Sequence, residues 1–272
     1  MSPLRQTNVG QHPVRQYAPR PVQPPIAAYK KNCLLSADQS AAILTAKIEA
    51  KEPFFFIRYG DGALECIVGK KGMTRDLEHY SEDLGQELWI SFRLLMDGTH
   101  ADSLVYVGDW LSASFDATSI YARYEQHYAE LIGDGKPTFL HFESLLLMRE
   151  SQALLDFYRT VKADTRRKLY MGPAANAAAA KMLGAEHLVT PMTGLFDECP
   201  RLTHELFSRD FDVLLYGAGM AGNIPAICCW EEFPERTYVN LGSALDPLFM
   251  GRKTRMQQIL PLKARIFFRS LL

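Results

Sequence analysis

The sequence lacks the features of a membrane-spanning or secreted protein. No apolar run in the 272 residues reaches the roughly 18–20 residues that a membrane-spanning helix needs. Residues 1–26 are mostly Pro, Gln, Arg and Val, without the apolar centre of a signal peptide. We therefore expect a cytoplasmic protein with no transmembrane segment.

Cysteine pairs are also missing. The chain has five cysteines, an odd number, and no Cys-x-x-Cys spacing. They are Cys33, Cys66, Cys199, Cys228 and Cys229. This argues against a disulfide framework and against a structural zinc site. Cys228 and Cys229 lie in an apolar helical pattern, which predicts buried thiols.

Acidic residues are absent from both ends of the chain. Residues 1–31 and 251–272 carry only basic charges, although the whole chain has 30 basic and 31 acidic residues. The basic ends indicate a polyanionic partner or nucleic acid, or else solvated tails. We interpret 1–30 as a disordered, Pro-rich leader, 31–250 as the folded domain and 251–272 as a basic amphipathic tail that contacts an anionic surface or packs on the domain.

Between these ends, short β-rich runs alternate with longer helical patterns. The runs predict strands at residues 53–58, 103–107, 138–141, 168–171, 213–216 and 237–241, with a weaker one at 187–190. The helical patterns cover residues 37–51, 62–68, 81–95, 112–131, 144–160, 174–183, 197–208 and 220–232. This alternation is typical of a doubly wound α/β fold, Rossmann-like, with a mostly parallel sheet and helices on both faces.

Glycines and polar residues follow these strands, and ligands of open α/β sheets bind at the carboxyl ends of the strands. The clearest example is Arg58-Tyr59-Gly60-Asp61-Gly62 after the first strand. A buried Arg at a strand end calls for an anion or a carboxylate. Asp61 is either a ligand contact or the cap of a helix that starts at Gly62, and the two roles are compatible.

A second glycine-rich turn follows the strand at 213–216. Gly217-Ala218-Gly219 leads into a helix predicted from Met220, so backbone amides could approach a phosphate there, although a turn without a ligand has the same pattern. A methyltransferase or dinucleotide site would place an acid at the end of the next strand. That strand ends in Asn240, followed by Gly242 and Ser243.

At these residues the sequence resembles the GT-D-type glycosyltransferases, Rossmann-like enzymes of bacteria and phages that use nucleotide-sugar donors. The resemblance covers roughly residues 50–250 and is carried by two segments, RYGDG at 58–62 and LLYGAGMAGN followed by YVNLGS. It implies a donor site, and it implies that the donor substrate bound there is a nucleotide-diphosphate sugar. The residues that match, or that the strand ends add, are Arg58, Tyr59, Gly60, Gly62, Gly217, Gly219, Met220, Gly242 and Ser243.

The family motif also implies a divalent cation, Mn²⁺ or Mg²⁺, held by an Asp and a Glu two residues later. Asp61 matches the Asp, but Ala63 stands at the Glu position. The alternatives are a cation shared by Asp61 and Glu65, or a leaving group neutralised without metal by Arg58, Lys70 or Lys71 and by helix N-termini.

Sugar transfer also needs a base for the acceptor hydroxyl. Asp61, Asp109 and Glu143 are the catalytic candidates, with His141 as a weaker base, and the last three sit at predicted strand ends. Asp109 and Glu143 have alternative roles as helix caps or salt-bridge partners, and His141 as a core imidazole. His79 and Tyr80 in a predicted loop could stack on a base or sugar.

The acceptor could be a glycan, a protein hydroxyl or a modified DNA base. Two alternative functions remain, a catalytically inactive binding domain and a methyltransferase.

Overall fold

The computed structural model describes residues 35–73, 78–97, 104–109, 137–145 and 151–245. Three predicted segments lie outside these ranges, namely the leader 1–30, the helix 112–131 and the tail 251–272.

Helices and strands alternate through the described residues. The helices are α1 (Ala37–Glu49), α2 (Asp61–Ile67), α3 (Glu82–Asp97), α4 (Gln152–Ala163), α5 (Ala177–Leu183), α6 (Cys199–Ser208) and α7 (Asn223–Glu232). The strands are β1 (Phe55–Arg58), β2 (Gly72–Met73), β3 (His79–Tyr80), β4 (Val105–Asp109), β5 (Thr138–His141), β6 (Lys168–Pro173), β7 (Glu186–Thr190), β8 (Val213–Tyr216) and β9 (Thr237–Asn240). Short 3-10 helices occupy Phe142–Leu145, Ala174–Asn176 and Phe196–Glu198.

Seven strands form one sheet in the order β5-β4-β1-β9-β8-β6-β7. Every neighbouring pair in it is parallel. Strands β2 and β3 form a separate antiparallel hairpin, where the sequence predicted a loop. The last of the described strands, β9, therefore lies in the middle of the sheet, between β1 and β8.

Both faces of the sheet are covered, because successive strand residues point to opposite sides. Phe55 and Ile57 of β1 belong to a core shared with α2, α3, α6 and α7, whereas Phe54 and Phe56 belong to a core shared with α1, α4 and α5. The predicted doubly wound α/β architecture is confirmed. Among the described helices, none combines the length and apolarity needed to cross a bilayer.

Local sequence explains where several elements begin and end. The Ser36 hydroxyl accepts a hydrogen bond from the Gln39 amide, and the Gln39 side chain accepts one from the Ser36 amide, which is a capping box at the start of α1. Gly184 ends α5 in a left-handed conformation. The predicted thiols are confirmed as buried at Cys229 and half-buried at Cys228, and burial raises the pKa of each to about 11.

Candidate functional site

The carboxyl ends of β1, β9 and β8 lie side by side. In the strand register Arg58 is opposite Gly108 of β4, and Tyr216 of β8 is opposite Asn240 of β9. The loops after these strands therefore leave the sheet at one edge. They bring together the Asp61 segment, the bend that starts at Gly217, and Gly242.

Arg58 lies directly beneath this edge and is only 5% exposed. Its Nε donates a hydrogen bond to the Asn240 carbonyl oxygen at 3.1 Å, and its guanidinium lies over the Phe56 ring at 6.0 Å. Burial lowers the pKa of Arg58 to about 10, so the side chain remains charged at neutral pH. It places a positive charge beneath the carboxyl edge of the sheet.

Two glycines make room for Arg58. A Cβ on Gly108 would lie 2.6 Å from Arg58 Cγ, and a Cβ on Gly242 would lie 2.6 Å from Arg58 Nη2. Gly242 also has a φ of +51°, which L-residues with a Cβ rarely adopt. Glycine is therefore favoured at position 242 by its backbone conformation, and a Cβ there would have to displace the Arg58 guanidinium.

A buried amide pair holds the point where the chain leaves β1. The Arg58 carbonyl oxygen accepts hydrogen bonds from Asn223 Nδ2 at 3.3 Å and Asn240 Nδ2 at 3.4 Å. Asn223 Oδ1 accepts from Asn240 Nδ2 at 2.7 Å and from the Tyr216 hydroxyl at 3.0 Å. In the sequence, Asn240 stands out only as an amide at a position where an acid is expected, and Asn223 does not stand out. The signal that could have indicated both is a polar residue at the end of a buried strand or at the start of a buried helix.

Asp61 is exposed at the start of α2. The helix begins at Asp61 itself, with Gly60 in the capping position, so the predicted helix start at Gly62 was one residue late. Asp61 Oδ1 accepts a hydrogen bond from the Gly62 amide at 2.9 Å. The Asp61 carboxylate is therefore exposed to solvent at the carboxyl edge of the sheet.

Tyr59 points the other way. Its side chain is fully buried, its hydroxyl donates to the Leu88 carbonyl oxygen at 3.1 Å, and its ring lies 4.6 Å from that of Phe92. The residue anchors the loop to α3 from inside the core. The Tyr59 side chain is therefore not available to contact a ligand at this edge of the sheet.

The described residues do not fit the predicted cation at Asp61 and Glu65. Glu65 Oε1 accepts from Lys70 Nζ at 2.6 Å, and Oε2 accepts from the Tyr80 hydroxyl at 2.7 Å. Ala63, at the position of the family Glu, is 2% exposed and packs in the core. Within the ranges that the structure describes, no three His, Cys, Asp or Glu side chains cluster as metal ligands.

The hairpin of β2 and β3 closes one side of α2. The bond from Tyr80 to Glu65 joins the hairpin to that helix, and the Glu78 carboxylate accepts a hydrogen bond from the Leu195 amide at 3.3 Å, just before α6. Burial raises the pKa of Glu78. The hairpin segment therefore links α2 to the chain just before α6, whereas the sequence predicted a loop.

The glycine-rich bend differs from its prediction in one respect. Helix α7 starts at Asn223, three residues after the predicted Met220, because residues 219–222 form a turn closed by the Gly222 amide on the Ala218 carbonyl oxygen at 3.1 Å. The Gly217 amide donates to Met171 at 2.9 Å and is already used. Gly219, exposed with a φ of +61°, and the half-buried Met220 form the outer part of the bend.

The predicted bases follow the neighbouring strands. Asp109 ends β4 and is paired in register with His141, which ends β5, and Glu143 lies in the 3-10 helix after β5. These positions share the edge that carries Asp61. The His141 side chain is 4% exposed, which favours its alternative role as a core residue. Ser243, next to Gly242, is half-buried.

Two solved structures match this fold. The first is described as a domain of unknown function 1792 with a distinct glycosyltransferase fold. It is 15% identical, with a TM-score of 0.50, over 76% of this chain and 82% of that one. The chain shares the fold of that domain. The second is a selenomethionine structure of domain of unknown function 1792, at 15% identity and a TM-score of 0.50 over 77% and 83% of the two chains. No family model and no curated protein matches the sequence.

Proposed function

We propose that this protein is a glycosyltransferase of the GT-D type, which moves a sugar from a nucleotide-diphosphate sugar to an acceptor hydroxyl. The proposal rests on one observation, the meeting of Asp61, the bend at 217–219 and Gly242 at the carboxyl edge of three adjacent parallel strands. Ligands of open α/β sheets bind at such an edge. The glycosyltransferase-type fold of the two solved structures supports the same reaction class.

The donor diphosphate would lie over the glycine-rich bend. Gly219 leaves the outer part of the bend bare, because a Cβ there would meet nothing within 4 Å, so a phosphate can approach closely. Arg58 beneath the edge adds a permanent positive charge that favours the developing charge of the leaving nucleoside diphosphate. In this arrangement Asp61 faces the sugar side, where its carboxylate orients the donor.

The acceptor proton would go to a carboxylate on the next strands. Asp109 and Glu143 follow β4 and β5, so both come from the half of the sheet beyond β1. The basic residues at 1–31 and 251–272 favour a polyanionic acceptor, whose binding would weaken as salt rises.

A second candidate function is a domain that binds nucleotide without catalysis. It is favoured by the burial of Ala63 and by the engagement of both Glu65 oxygens, since these remove the second carboxylate of the family motif. A methyltransferase is disfavoured, because Asn240 offers no acid and its amide is bound to Arg58 and Asn223.

The first test measures sugar transfer and binding with UDP-, GDP- and TDP-sugars. We expect calorimetry to show binding of at least one donor, and Asp61→Asn to abolish transfer while the melting temperature stays unchanged, because Asp61 is exposed. Glu82→Gln, which neutralises an exposed acid at the start of α3, serves as the matched control. Donor binding without transfer in the native protein would establish the second candidate, and stabilisation by S-adenosylmethionine alone would refute both.

A further inference from the structure

Asn223 and Asn240 lie where the two halves of the proposed donor site meet. Asn223 is the first residue of α7, directly after the glycine-rich bend, and Asn240 is the last residue of β9. Their exposed fractions are 1% and 5%. A buried amide must find hydrogen-bond partners, because leaving one unsatisfied costs about 1–3 kcal/mol.

The partners of this pair come from both loops. Asn223 Nδ2 and Asn240 Nδ2 donate to the same Arg58 carbonyl oxygen, at 3.3 and 3.4 Å, three residues before Asp61. The Arg58 Nε returns a bond to the Asn240 carbonyl oxygen at 3.1 Å. The end of β1 is therefore joined to β9 through both backbone and side chain, and to the start of α7.

The third partner lies on β8. The Tyr216 hydroxyl donates to Asn223 Oδ1 at 3.0 Å, and Tyr216 is the last strand residue before the bend. Asn223 Oδ1 also accepts from Asn240 Nδ2 at 2.7 Å. The network thus spans the carboxyl ends of three strands, and a displacement at one end changes the geometry of the others.

The amide group is required at these positions. An ionised aspartate of the same shape only accepts hydrogen bonds, so it would lose the donors to the Arg58 carbonyl and would turn a negative oxygen towards it. This explains why the strand end that carries an acid in ribose-binding folds carries Asn240 here.

We propose that Asn223 and Asn240 are positioning residues that hold the Arg58 carbonyl, and with it the Asp61 segment, against the glycine-rich bend at the spacing a donor diphosphate requires. The inference rests on the proposed function for its ligand. The coupling of the two loops is a property of the protein without ligand and can be measured separately.

The test compares Asn223→Asp and Asn240→Asp with Tyr238→Phe. The control also loses a buried hydrogen bond, from the Tyr238 hydroxyl to the Cys229 carbonyl oxygen at 3.1 Å, and it lies on β9 two residues before Asn240. Amide hydrogen exchange is followed by mass spectrometry in segments 58–62 and 217–222, together with unfolding in urea. We expect either Asn variant to speed exchange about tenfold in both segments at once, and the control to leave both unchanged.

The functional arm measures donor affinity by calorimetry with the nucleotide-sugar that the native protein binds. Either Asn variant should raise the donor dissociation constant about tenfold relative to a control of equal stability. An exchange increase in only one of the two segments, or an unchanged donor affinity, would overturn the positioning role. If the native protein binds no nucleotide-sugar, the proposed function and the donor role both fail, while coupled exchange would still establish the link between the loops.

Discussion

Single glycines determine how closely the strand ends can approach Arg58. A Cβ on Gly217 would lie 2.5 Å from the Gly242 carbonyl oxygen, and one on Gly242 would lie 2.6 Å from Arg58 Nη2. Gly219 shares the left-handed conformation, with a φ of +61°, but differs in its surroundings, because a Cβ there would meet nothing within 4 Å. The two glycines, 242 and 219, therefore separate a backbone effect from a packing effect.

We predict that Gly242→Ala destabilises the protein more than Gly219→Ala. Both variants carry the left-handed penalty of about 1 kcal/mol, and only the first adds a clash with a buried guanidinium, for a total of about 2–4 kcal/mol. Urea unfolding of both variants measures the difference. Equal losses would show that Arg58 moves aside without cost and that Gly242 does not constrain it.

At the same scale, four residues show what the sequence could and could not predict. The strand-end position of Arg58 and the exposure of Asp61 agree with the motif. The inward direction of Tyr59 could not be predicted, because it depends on the Leu88 carbonyl of α3, 29 residues away. Likewise Asn223 meets Arg58 across 165 residues of chain, and local pattern carries no information on that contact.

The residues between α4 and β6 form a polar corner at the opposite edge of the sheet, where the strands begin. Arg166 Nη2 and the Asp164 carboxylate form an ion pair at 2.8 Å, and Arg166 Nη1 donates to Thr237 Oγ1 at 3.1 Å. The Asp164 side chain is only 3% exposed. Burial by itself would raise the pKa of Asp164, but the hydrogen bonds from Arg166 outweigh it and hold the pKa below its usual value. This corner fastens α4 to the start of β9.

We predict that the stability from this corner depends on pH. An aspartate with a lowered folded-state pKa contributes fully above its unfolded pKa of about 3.9, and the contribution is lost as the pH falls through the folded value. Asp164→Asn should therefore cost about 1–3 kcal/mol at pH 7, and the difference from native should shrink below pH 4. Denaturant unfolding across pH 2.5–7 measures both. A constant difference would contradict the ion-pair assignment.

The types of the elements could be predicted from the sequence, whereas only some of their ends could. The strands Thr138–His141 and Val213–Tyr216 have the predicted bounds, because compact β-branched and aromatic runs are flanked by turn residues. The two-residue strands β2 and β3 have too short a pattern to detect. Helix α7 begins late because residues 219–222 form a turn before it, and the bond from Asn223 to Arg58 at the helix start is a tertiary contact that local propensity does not include.

At the scale of the whole molecule, β9 joins two halves of the sheet. One half is β5-β4-β1 and the other is β8-β6-β7, and among the described strands β9 alone pairs with both. Alternation of strands and helices predicted a parallel sheet, but strand order follows from which helices cover which face. Sequence spacing alone does not determine that order.

The central place of β9 predicts the effect of truncation. A chain that ends at residue 236 would lack β9, so the backbone groups of β1 and β8 that face it would lose their partners, including the Tyr238 amide bond to the Phe54 carbonyl oxygen at 2.8 Å. Because the sheet then consists of two unpaired halves, we expect this chain to lose cooperative unfolding. A chain that ends at residue 250 keeps β9 and serves as the control. Calorimetric and circular-dichroism melting of both chains measures this, and a single sharp transition in the 236-residue chain would show that the helices, rather than β9, unite the two halves.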